Sequence, residues 1–169
     1  MPGKAVHGTA WLIRPDLAVT AGHNVYNWQH KGGRATKIKA YAGYFGRASI
    51  DDPQYMVEFR EGKRCVTTEG WLESRGNKAK DVGFIKFDPP FTDVSLVRYV
   101  DTPATGDTVL GVVGYPADLA DAHTREKGSH MYEMFLHTKW SLNSQKDTML
   151  EYHIDTEGGK SAIYICIVH

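Results

Sequence analysis

Short apolar runs recur along the chain at spacings of about ten residues, each closed by turn-forming residues, and within the runs apolar and polar positions tend to alternate. A period of two is the signature of a half-buried strand. It predicts strands over residues 9–13, 17–20, 37–44, 55–59 and 83–87. Asp88-Pro89-Pro90 closes this first group, because proline has no ladder donor and cannot continue into a sheet. After a connector, strands are expected over residues 108–114, 131–139, 148–154 and 163–168. The charged, glycine-containing stretch from Arg60 to Lys80 reads as a solvated loop around one apolar patch, Gly70-Trp71-Leu72. Residues 118–122 allow a single helical turn. The pattern is that of an all-β protein in two halves, with residues 1–95 before and 106–169 after a connector at 96–105.

Composition narrows the function classes. The chain has 169 residues, 41% of them hydrophobic, enough for a core without disulfide or metal staples and too apolar for disorder. Lys+Arg and Asp+Glu are 20 each, so there is neither the basic footprint of a nucleic-acid binder nor a polybasic membrane anchor. No apolar run is long enough to span a membrane, and Met1 to Thr9 lacks the apolar core of a secretory leader. Trp11, Trp28, Trp71 and Trp140 are scattered singly, as core residues rather than a base-stacking platform. Cys65 and Cys166 read as small apolar residues, a single bridge being the lesser alternative. His123, His130 and His137 recur every seven residues, but Gly128-Ser129 breaks any helix that would stack them, so no metal site is expected.

Three short segments carry candidate chemistry. In Val19-Thr20-Ala21-Gly22-His23 a strand ends, two small residues permit a tight turn, and a histidine follows. Histidine titrates near neutrality and suits general base catalysis, although one such residue after a strand is more often an ordinary turn residue. Asp81 stands before the alternating run Val82 to Phe87; it is either a turn former or the carboxylate that fixes a histidine tautomer. Asp155-Thr156-Glu157-Gly158-Gly159-Lys160-Ser161 places two glycines before a serine, so that the amides of Gly159 and Ser161 can converge on an oxyanion; alone, it can equally be an empty loop.

The order His, Asp, Ser, with separations of 58 and 80 residues, resembles that of the trypsin-like (chymotrypsin-fold) serine peptidases. Thr20-Ala21-Gly22-His23 resembles their histidine motif, Asp81 with its strand the aspartate motif, and Gly158-Gly159-Lys160-Ser161 the nucleophile turn. Gly8 to Ile13 and Gly114-Tyr115-Pro116 resemble flanking strand motifs, so the likeness runs over roughly residues 8 to 165. It implies two antiparallel β-barrels, a triad of His23, Asp81 and Ser161, an oxyanion hole from Gly159 and Ser161, and no cofactor. It further implies a peptide or protein substrate, a monomer, an extracellular location, and no membrane or nucleic-acid partner.

Asn24 follows the histidine where most animal members have cysteine, and Lys160 precedes the serine where most have aspartate. These departures are more similar to the microbial glutamyl-endopeptidase branch. That likeness implies a specificity pocket lined by Thr156, with His169 as its histidine and a taste for acidic side chains; Asp155 would instead favour basic ones. Ala162 replaces the glycine that usually follows the nucleophile. Against the family the chain is short at both ends, so each barrel is expected to be incomplete. The alternative to an endopeptidase is therefore a catalytically inactive protease-fold fragment or a peptide-binding protein.

Overall fold

The first hairpin forms where the sequence turns most sharply. Strand β1 (Ala10–Arg14) reverses through Pro15-Asp16 into β2 (Leu17–Thr20), and the two pair antiparallel with Leu12 opposite Ala18. Proline presets the turn dihedral and aspartate tolerates the corner, so the reversal needs only two residues. The computed structural model describes residues 7–29, 32–99, 101, 105–116, 119–141 and 164–168.

A short helix α1 (Gly22–Val25) follows, then β3 (Lys39–Ala42), β4 (Glu58–Thr67), helix α2 (Glu69–Ser74) and β5 (Gly83–Phe87). They build a five-stranded antiparallel sheet in the order β1-β2-β5-β4-β3. β5 is central, and its alternation is the cleanest in the chain: Gly83, Ile85 and Phe87 face inward and are buried. Ile85 and Phe87 join Ala18, Val25 and Phe91 in the core, with Leu12, Ile38, Ala40 and Val94 packed around them. Burying such side chains contributes about 1.5–3 kcal/mol each, and it is what holds α1 and the loop after Pro90 against the sheet.

Among the described residues the second group forms a three-stranded antiparallel sheet. Strands β6 (Thr105–Gly114), β7 (Tyr132–Ser141) and β8 (Tyr164–Val168) are ordered β7-β6-β8. Leu110 and Val112 are buried hydrophobic residues on β6.

Three expectations are corrected. The stretch from Arg60 to Lys80 is not a loop: its first part is the body of β4 and its apolar patch is α2. The charges are compatible with a strand because those facing inward are matched. The Glu58 carboxylate accepts hydrogen bonds from the Thr92 amide and hydroxyl, both at 3.0 Å, and from Arg60. The Arg60 guanidinium lies over the Phe91 ring at 5.3 Å and donates to the Pro90 carbonyl at 2.9 Å. The expected strand at 55–59 accordingly starts later, Tyr55 belonging to a short 3-10 turn. The helical turn at 118–122 does not form over its described residues; Ala120 pairs in a bridge with Lys127 and the chain turns at residues 122–124. The strand expected at 148–154 lies outside the described residues, and that at 163–168 is seen as β8.

Candidate active site

Strand register brings the candidate base and its carboxylate together. β2 and β5 are antiparallel neighbours with Thr20 opposite Gly83. The residues just past the end of β2 and just before the start of β5 therefore leave the sheet at the same edge. His23 sits on α1 beyond β2, and Asp81 ends a 3-10 turn (Lys78–Lys80) that enters β5. Although 58 residues apart, they meet through two hydrogen bonds: the His23 amide donates to Asp81 Oδ1 at 2.8 Å, and His23 Nδ1 to Oδ2 at 2.7 Å. Both side chains are partly buried, at 24% and 18% exposure, which weakens competition from water without sealing the site.

The turn that carries His23 is shaped by lack of space. A Cβ on Gly22 would lie 2.6 Å from Thr67 Oγ1, 3.0 Å from Trp71 Cδ1 and 3.1 Å from Asp81 Oδ1. A Cβ on Gly83 would meet Val25 Cγ2 at 3.0 Å and the Ala21 carbonyl at 3.2 Å, so α1 rests directly on the start of β5. Two threonines at the end of β4 fix the approach to Asp81: the Thr67 hydroxyl donates to Val82 O at 2.8 Å and the Thr68 hydroxyl to Lys80 O at 2.6 Å. Trp71 is buried behind the site, donates its indole N–H to Tyr26 O at 3.0 Å and packs on Trp28 with ring centroids 4.6 Å apart.

Where the first sheet's loops meet the second half, two further polar connections lie beside the histidine turn. In one, Asn24 Nδ2 donates to Thr20 Oγ1 at 2.8 Å, Thr20 Oγ1 donates to Thr9 O at 2.8 Å, and the Tyr115 amide donates to Thr9 Oγ1 at 3.1 Å. In the other, the Tyr44 hydroxyl donates to Glu126, whose second oxygen accepts from the Arg47 amide at 2.9 Å, while the Tyr115 hydroxyl donates to Tyr44 O at 3.0 Å. The Tyr44 hydroxyl holds the Glu126 carboxyl below the usual glutamate range. Burial, then the bond to Glu126, pushes the Tyr44 phenol upward. Thr9, Thr20 and Tyr115 fall within the segments that resemble the histidine and flanking motifs, but no local pattern pointed to the bonds that join them or to Tyr44 and Glu126.

His23 and Asp81 are the predicted site residues that the structure brings together. Ser161, Gly159, Thr156, Asp155 and His169 lie outside the described residues. Cys65 is a free thiol, so the alternative of a bridge to Cys166 is set aside. Of the spaced histidines, His130 meets Ser129 Oγ at 3.1 Å and the Phe45 ring, and His137 pairs with Asp107 at 3.1 Å.

No family model matches the chain. Over 113 residues, 65% of its length, it is 32% identical to a protein of Bacillus subtilis (strain 168) named Extracellular metalloprotease, and spans 33% of that protein. Its structure is similar to that of a Glu endopeptidase in complex with MPD, with a TM-score of 0.68 and 24% identity over 99% of this chain and 71% of the other. The fold is therefore the chymotrypsin type of antiparallel β architecture expected from the order of the motifs. The name of the Bacillus protein raises a metal. Among the described residues no three or more of His, Cys, Asp and Glu gather as a ligand set. Nδ1 of His23 and Oδ2 of Asp81 are engaged with each other. These residues do not fit a metal centre.

Proposed function

We propose that the chain is a serine-type endopeptidase in which Ser161 attacks the scissile carbonyl, His23 takes the serine proton through Nε2, and Asp81 orients the imidazole. The observation that carries this reading is the double hydrogen bond of Asp81 to the backbone and ring of the same histidine. With the Nδ1 proton committed to the carboxylate, the basic lone pair is on Nε2, and the imidazolium formed on proton transfer is stabilised by the adjacent negative charge. His23 then returns the proton to the leaving amine, an acyl-enzyme forms on Ser161, and water activated by the same imidazole hydrolyses it. The amides of Gly159 and Ser161 are assigned to the oxyanion. In this reading residues 1–95 carry the base and its carboxylate, and residues 106–169 the nucleophile.

The acidic preference implied by Thr156 and His169 is the favoured specificity, supported by a fold neighbour that is a Glu endopeptidase; Asp155 would direct the enzyme to basic residues instead. The substrate is a peptide or protein, the working form a monomer outside the cell, and no cofactor is needed. A serine-directed fluorophosphonate tests the mechanism: it labels the wild-type chain and not Ser161→Ala. Equal labelling of both overturns it, and silence from a demonstrably folded wild-type sample favours an inactive protease-fold protein. Cleavage of a peptide library after Glu or Asp, rather than Lys or Arg, tests the specificity.

A further inference from the structure

Among the described residues four polar side chains are buried: Thr9, Thr20, Ser49 and Ser129. All four gather where the loops and strands of the first sheet meet the second half. Ser49 closes the turn at Gly46, bonding to its carbonyl at 2.6 Å. Ser129 lies on the other side, its Cβ 3.7 Å from where a side chain on Gly46 would begin. Thr9 and Thr20 form the relay that starts at Asn24, the residue covalently attached to His23, and ends at the Tyr115 amide, immediately after β6. Gly8 leaves room for it: a Cβ there would fall 2.5 Å from Asn24 Nδ2. Burying hydroxyls is unfavourable unless they are bonded, so this concentration of satisfied polar groups specifies one arrangement of the two halves rather than merely filling space.

We propose that Thr9 is a positioning residue that sets the register of the His23–Asp81 pair against the second half of the molecule. The inference rests on the serine-peptidase reading, in which the base and the nucleophile stand on different halves. The bonds between His23 and Asp81 are internal to the first half and cannot set the distance to Ser161. Contacts between the halves must do so, and among the described residues this relay reaches the residue next to His23. Thr9 is its hinge: its carbonyl serves the histidine side and its hydroxyl serves Tyr115.

The test uses the full chain with Thr9→Val, which keeps the shape and removes the acceptor, and Thr9→Ser, which restores it. Misplacing a reacting group by about 1 Å can cost on the order of a hundredfold in rate. The fluorophosphonate labelling rate of Thr9→Val is therefore expected to fall about tenfold or more, with Thr9→Ser near wild type. The low-field proton resonance of His23 Nδ1–H, which reports the bond to Asp81, is expected to persist in both. If the valine variant does not fold, Thr9→Cys, with a weak thiol acceptor, takes its place. Wild-type labelling rates in Thr9→Val, or in Thr9→Cys where that substitutes, overturn the positioning role and leave the serine mechanism standing. Slowed labelling accompanied by loss of the Nδ1–H resonance also overturns it, since the damage is then to the pair itself. Equal labelling of wild type and Ser161→Ala, or none of the folded wild type, overturns the serine mechanism and this role with it.

Discussion

Substituting alanine for Gly22 tests whether the histidine turn is limited by space. The new Cβ would stand 2.6 Å from Thr67 Oγ1, a separation real Cβ atoms essentially never show, and at tight distances from Trp71 and Asp81 Oδ1. Thr67 is short and its hydroxyl is tied to Val82 O, so it can give way only by losing that bond. Trp71 is buried and held by Tyr26, so the remaining strain falls on Asp81. Overpacking of this kind costs about 1–3 kcal/mol and the lost hydrogen bond about 1 kcal/mol, so Gly22→Ala is expected to destabilise by about 2–4 kcal/mol. The assay is urea denaturation of wild type, Gly22→Ala, Thr67→Ala and the double variant. Removing the Thr67 hydroxyl relieves the shortest contact, so the double variant is expected to be about 1 kcal/mol or more better than additive. Fluorophosphonate labelling of Gly22→Ala should slow on the order of a hundredfold as Asp81 moves from the His23 amide. A loss below about 0.5 kcal/mol, within the range of an unremarkable surface substitution, or strict additivity with Thr67→Ala, refutes the steric reasoning.

Asp81→Asn removes the carboxylate while keeping its size; labelling and peptide hydrolysis are expected to fall on the order of 10³–10⁴-fold, and a change under tenfold would detach Asp81 from the mechanism. Phe87→Ala empties a fully buried position edge-on to Phe91 and should cost about 3–5 kcal/mol in urea denaturation, with less than 1 kcal/mol counting against its place at the centre of the core. Because the Glu126 carboxyl titrates lower in the folded chain than in the unfolded one, its contribution to stability is fully present above the ordinary glutamate value of 4.5 and is lost as pH falls through its folded value. Tyr44→Phe removes the main cause, so the stability gap between it and wild type should narrow on acidification; parallel pH profiles from pH 7 to 3 would contradict this.

The strands that lead into the histidine turn and out of the aspartate turn were legible because their residues meet one physical demand at a time. Leu17 to Thr20 and Gly83 to Phe87 alternate cleanly, and the first is followed by small residues that turn the chain. β4 was not legible, since its first inward positions carry Glu58 and Arg60, whose partners Thr92, Pro90 and Phe91 are distant in sequence. Gly22 could be read as a turn residue, but its backbone is helical; what it supplies is room for Thr67 and Trp71, which no local pattern reveals. The Thr9–Tyr115 link spans 106 residues and was hidden for the same reason.

The Asp81 carboxylate grips an amide of α1 with one oxygen and the imidazole with the other. The ring's orientation is thereby written into the backbone. A histidine held only by its side chain must be ordered anew for each encounter, and that loss of freedom enters the barrier. Here the entropy of aiming the imidazole is settled once, when the sheet closes and brings β2 and β5 together, and in the proposed serine-peptidase mechanism each turnover would start with the ring already aimed. The same tether makes the helix and the ring move as one body, so whatever displaces α1 displaces the imidazole with it.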